Sequence, residues 1–408
     1  MEFCQYSKYI TYVGKGVAEQ MKLEEKAILH FLDRFDQTPF LVKIKEEEYS
    51  IGDGEPRFSI IFKKEPDLKE MMTSTSLALG EAYMRGDLEI DGDLYQALYY
   101  FLGQMGNFSV DTRVLRKLMF PSLGRRKQKE DVSSHYDLGN DFYSLWLDET
   151  LNYSCGFFES ESDTLYEAQK HKTERILAKL NLKEGMELLD IGCGWGYLLI
   201  EAAKKYKIRG TGITLSREQQ QGFQKRIEQE GLTDYLQVEL MDYRDLPGYK
   251  KKFDRVVSVG MLEHVGRDHY ELFFQCIKRA MKPGGVFLLH FISALEEHPG
   301  DPWMKKYIFP GGVIPSLREI VDLGSKYRFY LLDAESLRRH YNRTLLCWDK
   351  NFNEHRAEIE EKFGETFARM WDLYLCACAS TFQNGIIDLH QLLFTNGINN
   401  DLPMTRWY

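Results

Sequence analysis

The segment Leu188-Leu-Asp-Ile-Gly-Cys-Gly-Trp-Gly196 decides the fold, because an apolar strand pattern runs directly into three alternating glycines. Residues 197–205 then have the apolar spacing of a helix, so the segment predicts a strand, a tight turn and a helix. Glycine lets the backbone of such a turn approach a bound ligand closely. A dinucleotide fingerprint would need glycine at Tyr197, whereas the spacing here is G-x-G-x-G preceded by Asp190. A purely structural turn is the alternative.

Strand and helix patterns alternate around this segment. Strands are predicted at 187–191, 209–214, 235–240, 253–259 and 285–292, and helices at 164–182, 197–205 and 216–230. This alternation predicts an α/β fold with a doubly wound, mostly parallel sheet, whose ligands bind beyond the carboxyl ends of the strands. A helical run at 354–382 and a strand-like run at 386–394 follow, and the latter could close the sheet.

The amino-terminal part mixes both periodicities and predicts a smaller α+β domain. Helices are predicted at 16–35, 76–84 and 94–102, strands at 40–44 and 58–62, and an acidic, turn-rich stretch at 85–93. We therefore expect an α+β domain associated with lipid or membrane at 1–120, a basic linker at 121–130 and a catalytic domain at 131–408.

The composition is that of an ordinary soluble protein. The chain has 408 residues and a net charge of −9, with 28% charged and 43% hydrophobic residues. This acidic balance disfavours nucleic-acid binding. The amino terminus lacks an apolar signal region, and polar residues interrupt the longest uncharged stretch, 94–110, so we expect a cytoplasmic protein with no transmembrane helix. Seven cysteines without a C-x-x-C pair predict reduced thiols, with neither a disulfide nor a metal site.

The segment 113–129 interleaves basic and apolar residues, and Pro121 and Gly124 interrupt it. It could dock on an anionic membrane surface, where each basic residue is worth about 1 kcal/mol. The alternative is a solvated linker with one helical face packed on the core.

The glycine segment resembles the first motif of S-adenosylmethionine (AdoMet) methyltransferases. The resemblance implies that Gly192, Gly194 and Gly196 leave room for the methionine part of AdoMet, while Asp190 or nearby carbonyls hold its amino group. Asp242 and Tyr243 follow the third strand, where a carboxylate can accept a bond from the adenine amino group and a ring can stack. The second strand ends in Thr214 rather than an acid, so Gln219 on the next helix is expected to meet the ribose.

Six further segments resemble the cyclopropane-fatty-acyl-phospholipid synthase and mycolic acid cyclopropane synthase family. They are 133–143, 151–156, 212–216, 258–266, 339–344 and 374–379. The resemblance covers 130–408 strongly, and the first 120 residues look like the extra domain of the bacterial phospholipid enzyme. It implies a Rossmann-like class I AdoMet-dependent methyltransferase domain, and it adds Tyr153, Ser154, Cys193 and Leu215 to the cofactor site.

The family resemblance also implies a reaction. The methyl group of AdoMet is transferred to a cis double bond of an acyl chain, and loss of a proton then closes a cyclopropane ring. Aromatic faces can stabilise the carbocation. Candidate walls are Tyr136, Phe142, Tyr153, Phe157 and Tyr341, for each of which buried packing is the alternative.

The resemblance further implies a bound bicarbonate as the base. The matching positions are Cys155, Glu263, His290, Ile292 and Tyr341. His290, Tyr341, the Cys155 thiol and the Ile292 amide can donate to an anion, and Glu263 can hold or tune its protonated form. The family pattern also marks Cys378 as an active-site position, although methyl transfer to an alkene needs no thiol nucleophile.

The expected partners are membrane phospholipids with unsaturated acyl chains, met at the inner face of the membrane. Family members are often dimers, so a homodimer is one expected state. Two alternatives stay open at this point: a methyltransferase acting on a nitrogen or oxygen of a small soluble acceptor, and a non-catalytic lipid- or nucleotide-binding module.

Overall fold

The computed structural model describes residues 10–12, 23–64, 67–104, 139–297 and 300–408. Several predictions fall outside these residues: the basic segment 113–129, the linker 121–130, Tyr136 and most of the motif at 133–143. The six described cysteines are free thiols. No helix in the described ranges is both long and apolar enough to span a bilayer.

The described elements alternate between strands and helices along the chain. The strands are β1 (Ile10–Tyr12), β2 (Phe40–Ile44), β3 (Glu47–Ile51), β4 (Ser59–Phe62), β5 (Leu88–Asp91), β6 (Glu187–Ile191), β7 (Arg209–Thr214), β8 (Leu236–Leu240), β9 (Phe253–Val259), β10 (Met281–Ser293), β11 (Phe329–Ser336) and β12 (Asp388–Asn396). The helices are α1 (Leu23–Leu32), α2 (Leu68–Thr73), α3 (Thr75–Met84), α4 (Leu94–Gln104), α5 (Asn140–Trp146), α6 (Leu165–Lys179), α7 (Tyr197–Tyr206), α8 (Arg217–Gln229), α9 (Tyr270–Ala280), α10 (Pro302–Tyr307), α11 (Leu317–Lys326), α12 (Arg338–Glu354), α13 (Arg356–Phe363) and α14 (Glu365–Gln383).

The chain divides into two compact units that interleave along the sequence. The first unit comprises residues 1–114, 301–308 and 352–384, and the second comprises 115–300, 309–351 and 385–408. Two segments that we expected within the domain at 131–408 therefore belong to the first unit.

The first unit contains a five-stranded sheet with the order β1-β3-β2-β4-β5. Its core includes stacked and edge-to-face rings of Phe35, Phe40, Phe58 and Phe101. The stretch 85–93, predicted as acidic and turn-rich, also contains β5, which pairs antiparallel with β4. Its apolar and acidic side chains alternate, which is the pattern of a half-buried strand.

The second unit contains a seven-stranded sheet with the order β11-β12-β10-β9-β6-β7-β8. The pairs from β10 to β8 are parallel, whereas β12 runs antiparallel to both β10 and β11. This confirms the predicted doubly wound sheet. The strand predicted near 386–394 lies inside the sheet rather than at its edge, because β11 occupies the edge.

Helices cover both faces of this sheet. Leu188, Leu288 and Leu393 pack against α6, α7 and α8, while Leu189 and Leu289 pack against α9 and α11 on the other face. Side chains alternate between faces along a strand, so Asp190 and His290 point towards the side of α6. This places polar residues of two strands opposite one helix.

The carboxyl-terminal helical run is divided. The helical run predicted over 354–382 consists of two helices, because α13 ends at Phe363 and Gly364 has a φ of 88° before α14 begins. That φ is strained for residues with a side chain, so the glycine separates the helices.

Candidate active site

A cavity of about 150 Å³ opens where β6 ends. Its walls include the glycine turn, the end of β7, residues 150–154, residues 259–261 and residues 264–265. Gly192, Gly194 and Gly196 all have positive φ values, of 81°, 55° and 80°. A Cβ at Gly196 would overlap the ring of Phe223, so glycine is required there for the close packing of α7 and α8. The sequence therefore shapes this turn through the positions without side chains.

Ten of the twelve residues predicted to bind the cofactor line the cavity. They are Tyr153, Ser154, Asp190, Gly192, Cys193, Gly194, Thr214, Leu215, Gln219 and Tyr243. Gly196 and Asp242 are not among the lining residues.

Asp190 is the buried carboxylate of the cavity. Its Oδ1 has no hydrogen-bond partner among the described residues. Burial raises the pKa of Asp190 to about 7, and the nearby Lys172 opposes this rise. An unpartnered, buried carboxylate oxygen fits a cationic ligand group such as the ammonium of AdoMet.

The end of β7 positions Gln219 through a short chain of hydrogen bonds. Thr214 Oγ1 donates to Gln219 Oε1 at 2.8 Å, and the Ser216 hydroxyl accepts from the Gln219 amide at the start of α8. The side-chain nitrogen of Gln219 takes no part in these bonds, so it can donate to a hydroxyl of a ligand.

The carboxylate of Asp242 is paired with Arg244. Arg244 donates to its carboxylate from Nε at 2.8 Å and from Nη2 at 2.6 Å, and the Arg244 amide donates as well. Arg244 and Tyr243 line the cavity beside it. The expected contact of Asp242 with adenine would have to use a remaining lone pair of this carboxylate.

Lys172 is a cavity residue that the sequence analysis missed. Its Nζ donates to Ser154 Oγ at 3.1 Å, and its side chain is buried. Burial lowers the pKa of Lys172 to about 8, against the opposing effect of Asp148, Cys155 and Asp190. Its signal in the sequence is a lysine at an inward position of α6, in line with the buried Ala168 and Ile176.

Glu263 lies in a short 3₁₀ helix after β9. Its Oε1 accepts a hydrogen bond from the Ile292 amide at 2.6 Å, and its buried Oε2 has no partner in the described chain. Burial raises the pKa of Glu263 to about 7, although the Ile292 bond opposes this. We expected the Ile292 amide to face an anion. Instead it donates to Glu263, so it holds the carboxyl group in place.

His290 lies on β10 and is buried. Gln391 contacts its Nδ1 at 3.2 Å, whereas Nε2 has no partner among the residues described. Burial, reinforced by Lys172 and Lys179, lowers the pKa of His290 to about 3, so the imidazole is neutral at physiological pH.

The segment that carries Cys155 is bonded to α12, the helix on which Tyr341 lies. The Cys155 thiol donates to the Gly156 carbonyl at 3.1 Å, and the Gly156 amide donates to Thr344 Oγ1 on α12, the helix that carries Tyr341. Burial raises the pKa of Cys155 far above its usual value, so it stays a thiol. It can donate a hydrogen bond but cannot act as a thiolate.

Tyr153 belongs to an aromatic cluster beside the cavity. Its ring lies 5.3 Å from those of Trp146 and Trp348 and 5.6 Å from Tyr143. Trp348 also meets Tyr341 edge-on. Phe142 is buried and meets Trp146 in the same cluster, whereas Phe157 stacks on His340 and does not line the cavity. Trp146 and Trp348 were not predicted.

Cys378 lies on α14 and belongs to the first unit, whereas the other predicted catalytic residues belong to the second. Burial raises the pKa of Cys378 to about 12, so its thiol is protonated at neutral pH. Burial and the negative charge of Asp301 both oppose ionisation of this thiol.

Comparison with known proteins identifies relatives by sequence and by structure. The cyclopropane-fatty-acyl-phospholipid synthase of Escherichia coli (strain K12) is 39% identical over 350 residues, covering 84% of this chain and 89% of that protein. Tuberculostearic acid methyltransferase UfaA1 of Mycobacterium tuberculosis is 33% identical over 369 residues, covering 83% of this chain and 84% of that protein. The structure of mycolic acid cyclopropane synthase CmaA1 complexed with SAH and CTAB matches with a TM-score of 0.62 at 34% identity, covering 65% of this chain and 98% of that one.

The strand order, the glycine turn and the likeness to an SAH-bound structure together define a class I AdoMet-dependent methyltransferase. The family model for mycolic acid cyclopropane synthetase matches residues 124–392, and a model described as a domain of unknown function matches residues 29–112. The chain belongs to the mycolic acid cyclopropane synthetase family. This confirms the fold class and the family resemblance predicted from the sequence.

Proposed function

We propose that the protein transfers the methyl group of AdoMet to a cis double bond of a phospholipid acyl chain and closes a cyclopropane ring, with bicarbonate as the bound base. One observation carries the proposal. Next to the cofactor cavity, Glu263 Oε2 and His290 Nε2 are both buried and have no partner among the described residues. Unpaired buried polar atoms are costly, so they mark a place for a polar ligand. The name of the E. coli relative supports the lipid substrate.

The proposed reaction needs a base only in its last step. Methyl transfer to an alkene forms a carbon–carbon bond and leaves a carbocation on the substrate, and AdoMet becomes S-adenosylhomocysteine. Loss of one proton from the transferred methyl group then closes the ring. Bicarbonate accepts this late proton and becomes carbonic acid.

The residues around the proposed anion have suitable protonation states. Cys155 remains a thiol, whose proton is directed to the Gly156 carbonyl, and His290 is neutral because burial lowers its pKa to about 3. Glu263, with its pKa raised by burial to about 7, can hold or release a proton near neutral pH. A carboxyl group that is fixed by the Ile292 amide can therefore exchange a proton with a neighbouring anion.

The aromatic cluster suits the cationic step. Tyr153 lines the cavity, and Trp146 and Trp348 support its ring. Aromatic faces attract a cation and are weak nucleophiles, so they stabilise positive charge without being alkylated readily. The cluster also excludes water, which would otherwise trap the carbocation.

The decisive experiment incubates the full chain with AdoMet, bicarbonate and vesicles whose phospholipids carry cis-unsaturated chains. Mass analysis of the released fatty acids should show a gain of one CH₂ with loss of the double bond. Saturated vesicles are the matched control and should give no product. A methylated product that remains open-chain would replace the ring-forming proposal by the chemistry suggested by the name of the UfaA1 relative. Binding of AdoMet without any lipid product would favour a small soluble acceptor.

We also propose that the segment 113–129 docks the enzyme on anionic lipid at the cytoplasmic face of the membrane. The support is its composition, because basic residues are attracted to anionic headgroups and the interleaved apolar residues can enter the interface. Changing Arg125, Arg126, Lys127 and Lys129 to Gln should weaken binding to anionic vesicles. A control with four exposed lysines changed to Gln, at positions 183, 205, 207 and 225, should bind as the unmodified chain does. Equal binding by both variants would contradict the proposal.

A homodimer, which the family resemblance suggests, belongs to the same proposal. Sedimentation of the full chain at working concentration tests it, and a species of twice the chain mass is expected. A monomer at all concentrations would contradict it.

A further inference from the structure

A buried chain of polar side chains reaches His290 from the side opposite its unpartnered nitrogen. Lys179 on α6 donates to Glu335 Oε2 at 2.6 Å and to Gln391 Oε1 at 2.8 Å. Gln391 on β12 in turn contacts His290 Nδ1 at 3.2 Å. Lys179, Gln391 and His290 are each 1% exposed. The sequence analysis predicted only His290 among these residues.

The donor and acceptor rules settle the direction of each bond. An ammonium group only donates, so the Lys179 side chain requires the oxygen of the Gln391 amide to face it. The amide nitrogen of Gln391 must then face His290, and that nitrogen also only donates. Nδ1 of His290 is therefore the acceptor. In a neutral imidazole the proton then resides on the other nitrogen, Nε2.

The far end of the chain is anchored by an ion-pair cluster. Glu335 accepts from Arg175 through Nε and Nη2 at 2.5–3.1 Å, in addition to its bond from Lys179. Burial lowers the pKa of Lys179, but Glu335 opposes this, so the ammonium form is supported where the Gln391 oxygen needs it. Arg175 and Lys179 are one helical turn apart on α6, which presents both to β11.

We propose that Gln391 is a positioning residue that holds His290 as the Nε2–H tautomer, so that Nε2 donates a hydrogen bond to the bound oxyanion. The inference rests on the proposed function for the identity of that anion, bicarbonate. The opposite tautomer would present a lone pair to the anion and repel it. A neutral donor also binds an anion without supplying an acidic proton, which suits a base that must remain unprotonated until late in the reaction.

The first test is spectroscopic and does not depend on turnover. In protein labelled with ¹⁵N at histidine, protonated and unprotonated ring nitrogens have well-separated shifts, and the His290→Gln variant identifies the His290 signals. The unmodified chain should show a proton on Nε2. In Gln391→Glu the carboxylate is an acceptor only, so the proton should move to Nδ1. Thr395→Val, a buried position on the same face of β12, is the control and should leave the tautomer unchanged.

The second test is kinetic. Gln391→Glu should raise the KM for bicarbonate roughly ten- to a hundredfold, because one hydrogen bond to a charged group is lost. The affinity of Gln391→Glu for AdoMet should be unchanged. Thr395→Val should keep the KM for bicarbonate of the unmodified chain.

The outcomes separate the inference from the proposed function. A proton on Nδ1 in the unmodified chain overturns the inference even where the variant fails to fold, and so does an unchanged tautomer in folded Gln391→Glu. If the unmodified chain forms no bicarbonate-dependent lipid product, the proposed function is overturned. The tautomer measurement still tests the positioning role of Gln391, because it does not depend on turnover.

Discussion

Single buried titratable groups determine the chemistry of this site. Asp190 and Glu263 are carboxyl groups whose pKa values burial raises to about 7, and Lys172 is an ammonium whose pKa burial lowers to about 8. A neighbour opposes each shift: Lys172 opposes that of Asp190, the Ile292 amide that of Glu263, and the carboxylates of Asp148 and Asp190 that of Lys172. The site therefore holds groups that change charge near neutral pH, a property associated with functional positions.

Replacing Glu263 by Gln should reduce turnover by about 10²- to 10⁴-fold, the usual contribution of a positioned proton acceptor. The amide oxygen of Gln can still accept from the Ile292 amide, so the local geometry is retained while proton exchange is lost. The measurement is lipid product formed per minute, with AdoMet affinity measured in parallel and expected to be unchanged. Glu271→Gln, an exposed carboxylate, is the control. Unchanged turnover in Glu263→Gln would remove Glu263 from the anion site.

The affinity for AdoMet should fall as the pH is lowered through about 7. Burial raises the pKa of Asp190 to this value, so below it the carboxyl group is protonated and loses its attraction for the cationic ligand. Calorimetric titration at several pH values measures this.

Asp190→Asn should bind more weakly at high pH, by roughly ten- to a hundredfold, and should lose the pH dependence. Asp234→Asn, which alters an exposed carboxylate, should behave as the unmodified chain. The same pH dependence in Asp190→Asn would assign it to another group.

At the level of elements, the turn between β6 and α7 combines two constraints. All three glycines have positive φ values, but their surroundings differ. A Cβ at Gly196 would meet the ring of Phe223, whereas a Cβ at Gly194 would find no atom within 4 Å. Backbone conformation alone therefore requires glycine at Gly194. At Gly196 the packing of α8 against the turn requires it as well.

Gly196→Ala should destabilise the protein more than Gly194→Ala. At Gly194 only the left-handed backbone conformation is penalised, by about 1–2 kcal/mol. At Gly196 overpacking adds about 1–3 kcal/mol. Thermal unfolding of the second unit measures the difference, and a loss of about 1 kcal/mol shifts the midpoint by about 2–4 °C. Equal midpoints for the two variants would show that Phe223 moves away without cost.

Across the whole molecule, the two units are interleaved in sequence, but every residue lining the cofactor cavity belongs to the second. The segments 301–308 and 352–384 return to the first unit, so the chain order does not correspond to a simple series of domains. The net charge of −9 leaves any attraction to anionic lipid to local basic segments.

AdoMet at a hundred times its dissociation constant should stabilise the unit that binds it by about 2.7 kcal/mol. Hydrogen exchange should slow in 187–196, 212–219 and 241–244, which contribute to the cavity. The five-stranded sheet of the first unit supplies no lining residue, so β2 and β4 serve as the internal control. Equal protection of β2 and β4 would contradict the assignment of the site to the second unit alone.

The sequence by itself determined the glycine turn and the strands and helices directly around it. The apolar run at 187–191, the glycines after it and the alternation of strands with helices are local signals, because each depends on periodicity or on backbone freedom within a few residues. Motif matches likewise indicated Glu263 and His290. The sequence did not predict β5, the break at Gly364 or the position of β12 inside the sheet, because strand pairing depends on partners remote in the chain.

Only the tertiary structure decided how the predicted residues meet. Ile292 donates to Glu263 across 29 positions of the chain, and Gln391 contacts His290 across 101. Lys179 reaches Gln391 across 212 positions. From the sequence alone, a buried lysine in α6 cannot be distinguished from a solvent-exposed one, because the sheet that buries it is formed by remote segments. The direction of each hydrogen bond, and with it the charge and tautomer of each buried group, follows from neighbours that the folded sheet brings together, so local sequence patterns could not predict it.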